Sequence, residues 1–163
     1  MKHPPTLTPL AAPRGQVSRS GRPFPTDMLI VVPVTAVYAG VCALLLLVYA
    51  SLISRYRMKF RVGLGDGGNA ELARAIRVHG NAVEWMLPML LLLLIAELNH
   101  TSHLLLHVCG AAFVLARIAH AVGLSRHHGE SPGRKLGTVV SWTVIAVLAV
   151  LNIVDFVRTV VAY

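Results

Sequence analysis

From Met28 to Ser54 the chain carries no charged residue. At about 1.5 Å rise per residue, such a stretch is long enough to cross the hydrocarbon core of a bilayer as one helix. A membrane span must satisfy its own backbone hydrogen bonds, so this one segment already restricts the fold to a helical bundle or a barrel, and its unbroken apolarity favours helix. Three more apolar stretches follow, Ala70 to Leu98, Leu104 to Val122 and Gly133 to Val160. The predicted fold is all-α, an integral membrane four-helix bundle. Composition agrees. Of the 163 residues, 55% are hydrophobic and 13% charged, and the net charge is +8. The basic residues lie in loops and near span ends, where they act as topology signals and meet lipid headgroups. No continuous basic face or binding motif suggests a nucleic-acid partner. Cys42 and Cys109 stand in apolar segments and form no disulfide or CxxC framework.

Two domains are expected: a tail over residues 1–27 and a membrane domain over 28–160. The tail is rich in Pro, Arg, Ser and Thr and lacks the apolar centre of a signal peptide. It is expected to be disordered, or to lie upstream of a true start at Met28. Arg55, Arg57, Lys59 and Arg61 end the first span, and VGLGDGGN then makes a glycine-rich turn. That turn lacks the Lys-Ser/Thr of a phosphate-binding loop, so it reads as a connector whose Asn69 caps the second helix. Ser131-Pro132 likewise reads as an N-cap followed by proline at the first helical position. The loops at 55–69 and 123–135 are basic, whereas the second connection carries Glu97 and no Lys or Arg. The positive-inside rule places the two basic loops in the cytoplasm and both termini on the other side, with the C-terminus periplasmic if the membrane is a bacterial inner membrane. Basic residues in the 1–27 tail oppose that orientation.

The second span opens on RAIRVHGNAVEW, Arg74 to Trp85. On a helical wheel, Arg74, Arg77, Asn81 and Glu84 fall on one stripe about 80° wide, with His79 near the opposite side. An ionisable group at the bilayer centre costs roughly 2.5 kcal/mol or more, so such groups are expected to turn inward and to be paired. They could serve only to anchor the bundle. Two guanidiniums that both seek anions favour a ligand site instead, one in which arginines clamp carboxylates, Asn81 bonds an amide and Glu84 takes an ammonium. On the third helix Arg117 and His120, spaced i and i+3, share a face near the same end of the bundle. Arg126 and Arg134 follow close by. At the other end, His103 and His107 are spaced i and i+4, with His100 near; no further ligand is evident, and no metal is expected.

RxxRxHxNxxE before a leucine-rich span, together with ARIAHAVGLS on the third helix, resembles the MAPEG family, the membrane-associated proteins in eicosanoid and glutathione metabolism. The likeness spans residues 28 to 160 and is nearest to bacterial members with a GDGG-type loop. It implies a homotrimer that binds glutathione between subunits and takes a small lipophilic substrate from the lipid bilayer. The implied function is a glutathione-dependent transferase or peroxidase acting on lipophilic electrophiles or hydroperoxides, with glutathione as co-substrate. The alternative is a non-catalytic MAPEG-fold protein that binds lipid or thiol. By the same likeness, Arg74, Arg77, His79, Asn81, Glu84, Trp85, Arg117 and His120 are the glutathione-binding residues. Arg134, with Arg126 as rival, is the arginine that stabilises the thiolate. Leu124 departs from the pattern, standing where several relatives have a tyrosine near the thiol.

Overall fold

The computed structural model describes residues 31–126 and 131–161. It contains four helices: α1 (Pro33–Phe60), α2 (Ala70–Leu98), α3 (His103–Arg126) and α4 (Pro132–Val161). All four are long and apolar enough to cross a membrane. The protein is therefore an all-α, membrane-spanning four-helix bundle. The expectations for the 1–27 tail and for a start at Met28 lie outside the described residues.

Helix boundaries follow local chemistry. α1 does not stop where its apolar run stops. Arg55, Arg57 and Lys59 continue the helix to Phe60, because long cationic side chains at a helix C-terminus complement its dipole and reach toward the interface. Arg61 closes it in a left-handed conformation, φ 56°, with its N–H bonded to the Arg57 carbonyl. The glycine-rich turn then needs backbone that only glycine adopts freely. Gly65, Gly67 and Gly68 all have positive φ, and Gly67 also packs so close that a Cβ would lie 2.6 Å from Val62 Cγ2. Asp66 Oδ1 accepts from Gly68 N at 2.9 Å, tightening the turn. Asn69 caps α2 as expected, its Oδ1 accepting from Glu71 N at 3.0 Å and Leu72 N at 3.1 Å. Ser131 also behaves as expected. Its Oγ accepts from Arg134 N at 3.3 Å while Pro132 opens α4.

The start of α1 has no local cap. Val32 occupies the N-cap position and offers no side-chain acceptor. The acceptor comes from the far end of α2. Glu97 Oε1 accepts from Val34 N at 2.8 Å and Oε2 from Thr35 N at 2.7 Å. Glu97 is thus a helical, buried residue, 5% exposed, rather than part of the polar connection between spans two and three. Its carboxylate sits on the positive end of α1 and ties the two antiparallel helices together.

The core is built mainly from α2 and α3 side chains, among them Met86, Met89, Leu93, Leu106 and Phe113, with Cys42 from α1 and Leu148 from α4. Large apolar residues such as Leu44, Leu47, Leu104, Val150 and Ile153 face outward. That is the arrangement a bilayer requires, since lipid is the solvent for those faces. Bundle cohesion must then come from close packing, because lipid tails solvate leucine as well as another helix does. The closest seam is between α3 and α4. Gly133, Gly137 and Ser141 recur every four residues on α4, and both glycines press against α3 backbone. A Cβ on Gly137 would meet the Ala116 carbonyl oxygen and lie 2.8 Å from His120 Cβ. Gly137→Val should therefore force the helices apart and lower the melting temperature in detergent by an amount equivalent to roughly 1–3 kcal/mol. A variant melting with the wild type would show that the seam is not close-packed.

Candidate functional site

Arg74, Arg77, Asn81 and Glu84 lie in sequence on the first half of α2, between its capped N-terminus and Pro88. The turn connecting α1 to α2, the C-terminus of α3 and the first turn of α4 all gather at that end of the bundle. The structure sorts the stripe into two sets. Arg77 and Glu84 are exposed on the outer surface of the chain, while Arg74 and Asn81 are half-buried. This differs from the expected inward turn of every ionisable group. The stripe straddles the edge of the α2–α3 contact, so Asn81 leans toward α3 and its neighbours one turn away do not.

Asn81 meets Arg117. Arg117 is 2% exposed, the largest fully buried side chain among the described residues. Its Nη2 donates to Asn81 Oδ1 at 2.6 Å, a short, charge-assisted bond. The same nitrogen lies 3.4 Å from His120 Nδ1. Guanidinium can only donate, so His120 Nδ1 serves it as an acceptor in the tautomer that carries its proton on Nε2. The Arg117 Nε–H is buried without a hydrogen-bond partner among the described residues. The i, i+3 pairing of Arg117 with His120 is thus as the sequence spacing suggested, and it sits behind Asn81 rather than on the open face.

The other expected site residues spread around this pair. His79 is half-buried on another side of α2. Trp85 packs on Trp142 of α4, ring centroids 6.1 Å apart. Arg134 is exposed in the first turn of α4, and its backbone is fixed there by Ser131 and by Gly123, where a Cβ would lie 2.7 Å from Arg134 N. Arg126 ends α3, and its side chain lies outside the described residues. Leu124 is half-buried and offers no hydroxyl.

Two hollows flank the stripe. An open apolar groove of about 320 Å³ runs between α1 and α3, lined by residues that include Tyr49, Leu52, Val78, Ile118 and Ser125. Val78 is one turn from Asn81, which puts the groove beside the polar wall. A smaller pocket of about 180 Å³ shares Leu52 and Ser125 with it and adds Tyr56, Glu71 and Arg74. Together they offer an apolar trough with a polar mouth at the basic end of the bundle.

Of the histidines at the opposite end, His107 packs against Tyr38, ring centroids 5.7 Å apart, and His100 and His103 are exposed. Tyr38 Oη donates to the His107 carbonyl at 2.9 Å, and Gly110 leaves room for the Tyr38 ring against α3. No group of three or more His, Cys, Asp or Glu among the described residues is placed to hold a metal ion. Sequence reasoning also passed over Asn152, whose Nδ2 donates to the Leu92 carbonyl at 3.0 Å and links α4 to α2. A lone asparagine in an apolar run was the available signal, since a buried amide needs a partner.

Comparison with known proteins bears on the whole bundle. "Inner membrane protein YecN" of Escherichia coli strain K12 is 37% identical over 120 residues, which cover 74% of this chain and 90% of the relative. The protein of the same name from Escherichia coli O6:H1 strain CFT073 shows the same identity and coverage. The MAPEG family profile matches residues 35–154, a range that contains the α2 stripe, the Arg117–His120 pair and the α4 seam. Helix number, the polar second span and this match agree: the chain belongs to the MAPEG family.

Proposed function

We propose that the chain binds glutathione along the α2 stripe and presents its thiolate to lipophilic electrophiles or hydroperoxides drawn from the bilayer. The observation that carries this reading is the exposure of Arg77 and Glu84 on one face of a membrane-spanning helix. Among the described residues neither charge has a hydrogen bond or ion pair, although buried Arg117 attracts Glu84, and opposite charges exposed at that depth call for a ligand or a second protein copy. Glutathione has two carboxylates and an ammonium, which match Arg74, Arg77 and Glu84 in sign. A homotrimer would place a neighbouring chain over the stripe and bring His79 of one subunit toward the site of another. The apolar groove beside Asn81 is suited to the hydrocarbon part of a second substrate. Arg134, or Arg126, would hold the thiolate as the new bond to sulfur forms.

The name of the Escherichia coli relatives supports a bacterial inner-membrane location. The basic segments 55–69 and 123–135, which include helix ends, would then face the cytoplasm. A second reading, a lipid- or thiol-binding membrane protein without turnover, is favoured by Leu124, which supplies no hydroxyl to the thiol.

The test is glutathione binding to the protein purified in detergent, measured by equilibrium dialysis. The wild type should bind at millimolar glutathione or below. Arg77→Ala should weaken binding roughly 10- to 100-fold, as expected for loss of a charged hydrogen-bond partner, without changing the oligomeric state. Unchanged affinity in that variant would exclude the stripe as the glutathione site.

A further inference from the structure

We propose that Arg117 is a positioning residue that locks the Asn81 side-chain amide, so that the site wall presents an N–H donor, never an acceptor, to its ligand at that point. The inference rests on the glutathione reading for the identity of the ligand and on the structure for the lock.

The argument is chemical. An asparagine amide is ambivalent, with one accepting oxygen and one donating nitrogen, and can turn either toward a neighbour. Arginine is not ambivalent. It has five N–H donors and no acceptor, and it stays charged under all ordinary conditions. Whatever faces Arg117 at 2.6 Å must therefore be Asn81 Oδ1. With the oxygen committed, the Nδ2 group is turned away from Arg117, and it has no hydrogen-bond partner among the described residues. Asn81 is half-buried, so that donor is reachable. Arg117 in turn is itself held: it is almost fully enclosed, and His120 Nδ1 lies 3.4 Å from the same nitrogen. The lock on Asn81 is thus built from α3 outward, with the Glu84 carboxylate adding electrostatic attraction to Arg117.

This fixes the polarity of the wall. Arg77 and Asn81 Nδ2 both donate, and Glu84 accepts one turn further into the span. The group that lies over Asn81 must be a carboxylate or a carbonyl oxygen, and the cationic end of the ligand must lie toward Glu84. Glutathione can satisfy that order in one direction along the helix and not in the reverse direction.

The discriminating variant is Asn81→Asp. Its carboxylate still accepts from Arg117, now as an ion pair, so the fold is kept or strengthened. Its second oxygen faces the ligand where a donor stood. The expected result is a melting temperature at or above that of the wild type, with glutathione affinity reduced roughly 30-fold or more. Arg117→Lys, a donor-only replacement, should keep affinity within about threefold, whereas Arg117→Gln, which can give or take a hydrogen bond, should lose about tenfold. A merely structural Asn81 would give matched changes in stability and affinity, not opposite ones. Wild-type-like glutathione binding by Asn81→Asp would overturn the donor role. A melting temperature well below wild type in that variant would overturn the lock itself. If the wild type bound no glutathione while Asn81→Asp melted at or above it, the lock would stand and the glutathione reading would fall.

Discussion

Glu97→Gln should strongly destabilise the bundle, though less than Glu97→Ala, even though the amide has the same shape as the carboxylate. The native side chain uses both oxygens, one for Val34 N and one for Thr35 N, at 2.8 and 2.7 Å. Gln has one oxygen. Its NH2 group would be aimed at a backbone N–H, donor against donor, inside a buried contact. One α1 donor then loses its acceptor in Glu97→Gln and both lose it in Glu97→Ala, at about 1–3 kcal/mol for each buried donor left unpaired. The removed negative charge also withdraws its interaction with the α1 dipole, typically worth about 0.3–1 kcal/mol and up to roughly 2 in partly buried geometry. Val32 supplies no local replacement, and Pro33, which has no N–H, leaves the two capped groups as the first donors of the helix. Thermal unfolding in detergent, followed by tryptophan fluorescence, should rank the wild type far above both variants. Glu97→Asp, one methylene short, should fall between. A Gln variant that melts with the wild type would show that the carboxylate is not bridging both donors.

Glu97 also shows what a linear reading of this chain can and cannot reach. Its partners are 62 and 63 positions away. From sequence it is a polar residue at a helix end, useful as a topology marker and nothing more. The signal that could have been used is indirect: α1 begins on Val-Pro-Val-Thr, with no residue able to cap it from the N-cap position. Contacts of the local kind were legible. Asn69 and Ser131-Pro132 are caps because their side chains reach backbone two or three residues on, and Arg117 meets His120 because i and i+3 share a helical face. Helix number and the limits of α2 follow from hydropathy and those caps.

The stripe on α2 was legible as a stripe but not as two sets. Periodicity places Arg77, Asn81 and Glu84 within about one-sixth of the helix circumference. Which edge of that sector touches α3 depends on how α2 is rotated in the bundle, and that is set by contacts distant in sequence, such as Arg117 with Asn81. The outcome is that Asn81 is bonded within the chain while Arg77 and Glu84 are left on its surface. The α4 seam shows the same limit. Gly133, Gly137 and Ser141 are visible as a four-residue repeat, yet only the packed structure shows that Ala119 lies against Gly133, and Ala116 and His120 against Gly137.

Arg134→Ala should separate binding from chemistry. A glutathione thiol is a weak nucleophile until it ionises, and a fixed guanidinium near sulfur favours the thiolate. In the proposed site that guanidinium belongs to Arg134. Ser131 and Pro132 define the first turn of α4, and Gly123 lets that turn lie directly on α3. Gly137, one turn further along α4, abuts His120, so the Arg134 backbone stands about one turn from the Arg117–His120 pair that supports the stripe. The side chain itself is exposed and free of the packing that immobilises Arg117. Its removal should lower conjugation of a lipophilic electrophile by roughly 100-fold or more, the scale seen when one stabilising donor is taken from a developing anion. Glutathione affinity should change less than about fivefold, because the proposed site assigns the carboxylates to Arg74 and Arg77. The ultraviolet absorbance of bound thiolate should fall in parallel with turnover. Arg126→Ala, at the last residue of α3, should leave both nearly unchanged. If instead Arg126→Ala abolishes the thiolate signal and Arg134→Ala does not, the roles of the two arginines are exchanged. If neither variant alters it, the thiol is activated by another part of the bundle.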